Sequence, residues 1–116
     1  MIQRYLAAAA LALAASVSFA QTKEIKSGVI YDLTGPLAAG GSYAGYLGTK
    51  YAIDMINEKG GVGGYKIKPI YADAQSKPEV AINETTRLIE QEKVAMLMGV
   101  FSSAHCAAMA QKADAA

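Results

Sequence analysis

The sequence predicts an α/β fold built on a parallel sheet. Three short runs with strand character alternate with three stretches of helical periodicity, in the order β-α-β-α-β-α. Strands that alternate with helices imply a parallel sheet whose strands are joined by right-handed crossovers. Residues 1–20 lie outside this pattern and have a different character.

Residues 1–20 have the features of a secretory signal peptide. Arg4 gives a basic start, Leu6–Val17 is an uncharged run rich in Ala and Leu, and Ser18 and Ala20 are small residues at the two positions that signal peptidase reads. The run is shorter than the roughly 20 apolar residues that a membrane span needs. Cleavage is therefore expected after Ala20, followed by export of the remaining chain.

The composition excludes several classes of function. The chain has 11 Lys and Arg against 10 Asp and Glu, so its net charge of +1 offers no basic surface for nucleic acid. Its 53% hydrophobic and 18% charged residues indicate a folded protein. With one Cys and one His, the chain cannot form an intrachain disulfide and lacks the usual set of metal-binding side chains. We predict no metal, no cofactor and no nucleic-acid partner.

The first half of the pattern is a strand, a loop and a helix. The strand at residues 24–31 leads through the Gly/Pro-containing loop Asp32–Gly41 into a helix that Ser42 is expected to cap. This helix extends to about Glu58, and the glycines at 60–64 form a tight turn. The helix face predicted to lie on the sheet consists of apolar and small residues at helical spacing: Ala44, Leu47, Gly48, Tyr51, Ala52, Met55 and Ile56.

The second half repeats this arrangement. Pro69 predicts that the second strand, at residues 65–72, lies at an edge of the sheet. Ser76 and Glu79 have capping-box spacing, and Pro78 fits the first turn of the second helix. The third strand, at residues 94–100, is apolar without alternation and is expected to be central and covered on both faces. The buried stripe of the second helix is predicted from five residues: Ala81, Ile82, Thr85, Leu88 and Ile89.

The candidate site lies beyond the carboxyl ends of the strands. When the first strand lies between the other two, the loops Asp32–Ser42 and Phe101–His105 are neighbours. Ser102 and Ser103 precede a third helix that begins near Ala104, whose free N–H groups and dipole favour an anion. The alternative interpretation is that one serine is only the N-cap.

Other polar residues near these loops are assigned structural roles. His105 is expected to be a polar surface residue, and Cys106 a small buried hydrophobe. Asp32 and Asp73 follow strands and are expected to stabilise turns. The G-x-x-x-x-G-x-S spacing that ends at Ser42 is not a P-loop, because the phosphate-binding Lys is replaced by glycine.

The chain resembles the N-terminal part of type I periplasmic binding proteins of ABC transporters, of the branched-chain amino-acid type. The resemblance covers nearly all of residues 26–110 and is carried by specific stretches: Thr34-Gly35-Pro36-Leu37, the segment at 52–64 (AIDMINEKGGVGG), and Gly99-Val100-Phe101-Ser102-Ser103. It implies two α/β lobes that close over a small solute. Residues 21–116 would then be an incomplete N-terminal lobe, which also accounts for the bare edge of a three-stranded sheet.

The resemblance also implies a function and a set of ligand-binding residues. The protein would be a periplasmic binding protein that delivers an amino acid or similar small carboxylate to an ABC permease in the inner membrane. Ser103, with Ser102, would contact the ligand carboxylate, and the loop around 37–42 would line the cleft. The candidate ligand-binding residues are Ser102, Ser103, Phe101, Gly40 and Tyr43.

Two alternatives remain at this point. A secreted α/β hydrolase-like enzyme would use Ser103, His105 and Asp32, although the sequence has no G-x-S-x-G motif. A ligand-sensing domain of the same fold would pass the bound state to a receptor instead of a permease. Our expectation is that the protein has no catalytic residues.

Overall fold

The computed structural model describes residues 23–116, so the predicted signal peptide at 1–20 lies outside the described residues. The elements alternate as predicted. They are β1 (Glu24–Tyr31), a π-helical turn (Ala38–Ser42), α1 (Tyr43–Glu58), β2 (Lys66–Asp73), α2 (Pro78–Glu90), β3 (Met96–Gly99) and α3 (Ser103–Asp114). In this part of the chain, no helix is both long and apolar enough to cross a bilayer.

The sheet has three parallel strands in the order β2-β1-β3. The prediction that the first strand lies between the other two is confirmed, as is the edge position of β2 with its Pro69. A central position for the third strand is not observed in the described part of the chain. Within residues 23–116, β3 is an edge strand, and Met96 is 48% exposed. The apolar composition of a segment predicts that it is buried, but it does not determine the position of the strand in the sheet.

The helices lie on both faces of the sheet. Ile30 packs with Leu88 of α2 and Met109 of α3 in the main core cluster. The next residue, Tyr31, contacts α1, where its hydroxyl forms a 2.8 Å hydrogen bond with Thr49. Because neighbouring strand residues point to opposite faces, α1 covers one face and the other two helices cover the other. The chain is therefore wound on both sides of β1.

The predicted core face is largely right for α2 and wrong for α1. In α2, Ala81, Thr85 and Leu88 are fully buried, and Ile82 is 38% exposed. In α1 the buried residue is Ile53, which lies outside the predicted stripe. Most of the residues predicted to face the sheet are exposed instead: Ala44, Gly48, Tyr51, Ala52 and Met55.

Polar anchors explain the orientation of α1. Thr49 bonds Tyr31, and the side-chain amide of Asn57 both donates to the carbonyl and accepts from the N–H of Ile67. These hydrogen bonds turn a partly polar face of the helix toward the sheet. A stripe chosen by hydrophobicity alone therefore selects the wrong side.

Neither predicted serine caps a helix with its side chain. Ser42 is the N-cap residue of α1, as predicted, but the Ser42 hydroxyl accepts the N–H of Asp32 at 2.8 Å and makes no capping bond. Ser76 precedes the N-cap residue Lys77. Its hydroxyl accepts from the N–H of Leu37 at 3.0 Å and donates to the carbonyl of Thr34 at 3.1 Å. Both serines tie loops together instead of capping helices.

Candidate functional site

The loops after β1 and β3 meet at one rim of the sheet. A Cβ atom added to Gly41 would lie 3.0 Å from the Phe101 ring, and one added to Gly40 would lie 3.9 Å from it. Gly41 has a φ of +134°, a conformation that favours glycine. The expectation that these two loops are neighbours is confirmed, and two of the candidate residues, Gly40 and Phe101, lie close together at this rim.

A strained turn presents Phe101 to this rim. Val100 has a φ of +72°, which is rare for a β-branched residue. Its N–H donates to the carbonyl of Ile30 at 2.7 Å, and its side chain packs against the core cluster. Such strain persists only where the surroundings hold it, and it concentrates at functional sites. The rim is thus fixed to β1 immediately before the candidate serines.

Two serines at the start of α3 have hydroxyls available for a partner. Ser102 is the N-cap residue and Ser103 the first helical residue, one position earlier than predicted. The Ser102 carbonyl accepts the N–H of Cys106 at 2.9 Å, but its side chain makes no capping bond. Neither hydroxyl bonds another residue of the described part of the chain. The first turn of a helix carries unpaired N–H groups, so this end of α3 suits an anion.

Two adjoining depressions hold the candidate residues. One, of about 420 Å³, is lined by Val100, Phe101, Ser102, Ser103, Cys106 and Ala107. The other, of about 430 Å³, is lined by Ala38, Ala39, Gly41, Tyr43 and Ala44. The structure therefore groups both serines with Phe101. Tyr43 lines the adjoining depression, where its ring centroid is 5.7 Å from that of Tyr46.

His105 is not a surface residue, and that prediction is wrong. It is 3% exposed, and its Nδ1 lies 3.6 Å from Oδ1 of Asp32, itself 1% exposed. His105 and Met109 are four residues apart and both buried, which places them on one face of α3. This spacing is the sequence signal that could have indicated burial. Cys106, predicted to be buried, is exposed on α3.

The arrangement does not form a hydrolase triad. Asp32 and His105 are near each other, as the enzyme alternative requires. Ser103, however, is exposed while His105 is buried, and no hydrogen bond joins them in the described structure. A nucleophile needs a base within hydrogen-bond reach. Among residues 23–116, no group of three or more His, Cys, Asp or Glu side chains is placed to bind a metal ion.

Asp73 stabilises the loop after β1, as the sequence predicted. Its carboxylate accepts the N–H groups of Leu33, Thr34 and Gln75 at 2.9, 3.3 and 2.8 Å, and the Thr34 hydroxyl at 2.7 Å. Burial alone would raise the pKa of Asp73, but these hydrogen bonds together outweigh it and lower the pKa below its ordinary value. The carboxylate therefore stays charged and holds the loop.

Comparisons with known proteins identify the family and agree with the fold. Residues 24–116 match the family model described as periplasmic binding protein. Leu/Ile/Val-binding protein homolog 7 of Brucella suis biovar 1 (strain 1330) is 36% identical over 115 residues, 99% of this chain. The chain spans 28% of the length of that relative.

Solved structures show the same fold. The branched-chain amino acid transporter substrate binding protein of Streptococcus pneumoniae, in complex with isoleucine, superposes with a TM-score of 0.76 at 34% identity. That match covers 80% of this chain and 26% of the other. A solute binding protein from R. palustris, in complex with benzoate, has a TM-score of 0.66 at 29% identity, covering 78% and 24%. The chain described here belongs to the periplasmic binding protein family.

Proposed function

We propose that the chain forms part of the first lobe of a solute-binding protein that delivers an amino acid or similar small carboxylate to an ABC permease. The observation that carries this proposal is the pair of serines at the start of α3, whose hydroxyls bond no other described residue and face the same depression as Phe101. Hydroxyls beside free helix N–H groups suit a carboxylate.

The ligands of two related structures support the chemical class. The Streptococcus pneumoniae protein is in complex with isoleucine and the R. palustris protein with benzoate. These two molecules share a carboxylate and differ in the rest of their structure. The serines would bind the shared group, and the depression beside Gly41 and Tyr43 would contact the variable part. A second lobe would close over the ligand and complete the surface that the permease recognises.

Calorimetry on the full-length gene product tests the ligand class. We expect heat of binding with a member of a panel that includes isoleucine, leucine, phenylalanine and benzoate. The matching amides, isoleucinamide and benzamide, keep the apolar part and lose the negative charge, so they should bind at least tenfold more weakly. Equal affinity for acid and amide, or no binding by any carboxylate, would contradict the proposal.

A serine substitution tests the site. Ser103→Ala removes one proposed hydrogen bond to a charged group and should weaken binding by roughly 10- to 150-fold, since such bonds contribute roughly 1.5–3 kcal/mol. Thr86→Ala is the matched control, because it removes an exposed hydroxyl that bonds only the Ile82 carbonyl of its own helix. Equal affinities for Ser103→Ala and Thr86→Ala would remove Ser103 from the site.

Export to the periplasm is part of the same proposal. Residues 1–20 would direct secretion and be removed after Ala20, so that the mature chain begins at Gln21. The mass of the protein recovered from the periplasmic fraction checks this. No catalytic step is proposed, since the relatives named above are substrate-binding proteins.

A further inference from the structure

Asp32 lies where the loops after all three strands meet. It follows β1 directly, and its N–H donates to the Ser42 hydroxyl at 2.8 Å. Its Oδ1 accepts the N–H of Ser76, from the loop after β2, at 2.8 Å. The same Oδ1 lies 3.6 Å from Nδ1 of His105, in the first turn of α3. Asp32 thus contacts the loop after β1 through its backbone N–H, and its side chain approaches one partner from each of the other two connections.

The contact with His105 joins two groups that are each costly to bury alone. Asp32 and His105 are 1% and 3% exposed. Nδ1 of His105 has no hydrogen-bond partner among the described residues. A buried polar atom without a partner destabilises the fold, and a buried carboxylate needs hydrogen bonds or a cation. At 3.6 Å the two atoms are too far apart for a hydrogen bond, and a shift of less than about 1 Å would form one.

We infer that Asp32 and His105 form a buried link that positions the two candidate serines against the loop after β1. In this link, Nδ1–H of His105 donates to Oδ1 of Asp32. His105 is a positioning residue, because it acts through the placement of Ser102 and Ser103 without touching the ligand. This inference rests on the proposed function, since it concerns the geometry of that site.

The position of His105 in α3 makes this role specific. His105 is the third helical residue, so it fixes the end of α3 that carries the serines. Further along, the helix is anchored by Met109 in the core and by the Lys112–Glu90 ion pair at 3.1 Å. Met109 lies about one turn and Lys112 about two turns beyond His105, whereas His105 lies in the same turn as Ser103. A misplacement of about 1 Å is enough to weaken a directed interaction substantially.

Two substitutions of the same histidine separate positioning from packing. In His105→Asn the amide nitrogen occupies the place of Nδ1 and can still donate to Asp32. In His105→Gln the amide nitrogen occupies the place of Nε2, so the donor to Asp32 is lost. On the full-length gene product we expect His105→Asn to bind the best carboxylate of the panel within about threefold of wild type. His105→Gln should bind it about tenfold more weakly.

The binding test also needs a control variant on α3 and a substitution of Asp32, the other residue of the link. Lys112→Met breaks the ion pair at the far end of α3 and should leave affinity unchanged. Asp32→Ala removes the oxygen that accepts from His105 and Ser76, so it should weaken binding at least as much as His105→Gln does. The variant that carries both Asp32→Ala and His105→Gln should bind no more weakly than Asp32→Ala alone. Equal affinities for the Asn and Gln variants of His105, or additive losses in the double variant, would overturn the inference.

A measurement without ligand keeps the inference separate from the proposed function. The link requires a proton on Nδ1, so the imidazole nitrogen resonances of His105 should identify Nδ1 as a protonated nitrogen. Asp32→Asn should shift that resonance, and Lys112→Met should not. If no carboxylate binds wild type, the proposed function fails, and an unprotonated Nδ1 would overturn the link itself.

Discussion

At the scale of single residues, two fully buried serines differ in whether their hydroxyl has a partner. The Ser27 hydroxyl in β1 has none among the described residues, whereas the Ser42 hydroxyl accepts the N–H of Asp32. Ser27→Ala should leave the free energy of unfolding unchanged or raise it by up to about 1 kcal/mol, because it removes an unsatisfied group. Ser42→Ala leaves the buried N–H of Asp32 without a hydrogen-bond partner, so it should lower the free energy of unfolding by about 1–3 kcal/mol. Urea denaturation of both variants checks this, and equal losses would contradict it.

Also at this scale, Asp73 should make stability depend on acid pH. Its pKa in the folded protein is lowered from the ordinary 3.8, so the unfolded chain binds the proton more tightly. The stabilising contribution is therefore present above about pH 3.8 and is lost as pH falls through the folded pKa. Asp73→Asn should reduce stability at pH 7 and flatten the decline at low pH. Denaturation of both proteins between pH 7 and 3 measures this, and parallel curves would contradict it.

At the scale of elements, two glycines of α1 have opposite surroundings. A Cβ added to Gly48 meets nothing within 4 Å, whereas one added to Gly45 would lie 2.9 Å from the Tyr31 ring. Gly48→Ala should raise the free energy of unfolding by about 0.5–1 kcal/mol through helix propensity. Gly45→Ala should lower it by about 1–3 kcal/mol, since the Tyr31 ring is held by Thr49 and must move. Thermal unfolding compares the pair, and the same sign of change in both would contradict the packing described here.

The two helix faces show how far periodicity can predict an element. In α2 the predicted face is the one that packs on the sheet, so Ala81, Thr85 and Leu88 are buried as expected. In α1, the hydrogen bonds of Thr49 and Asn57 turn a different face toward the sheet. Periodicity measures the hydrophobic preference of a helix, but specific polar contacts with distant strands are not encoded in local spacing.

At the scale of the whole molecule, the strand order and the shared rim follow from rules about parallel sheets. The sequence indicates alternating strands and helices, and the crossover rule then brings the loops at Gly40 and Phe101 together. The roles of Asp32, Ser42 and Ser76 could not be predicted in this way. Their hydrogen bonds join segments 10 and 44 residues apart in sequence. The sequence offers many other polar residues that could have formed such hydrogen bonds instead.

The open edge of the sheet leads to a prediction about association. In the described part of the chain, the outer side of β3 has no neighbouring strand, and an exposed strand edge can pair with another copy. Met96→Lys on this edge should reduce self-association of the 116-residue chain, with little change in stability. Met55→Lys is the matched control, because Met55 is 55% exposed, close to the 48% of Met96, but lies on α1. Sedimentation velocity measures both variants. Reduced association in Met55→Lys alone would show that copies meet through the apolar face of α1 instead of the strand edge.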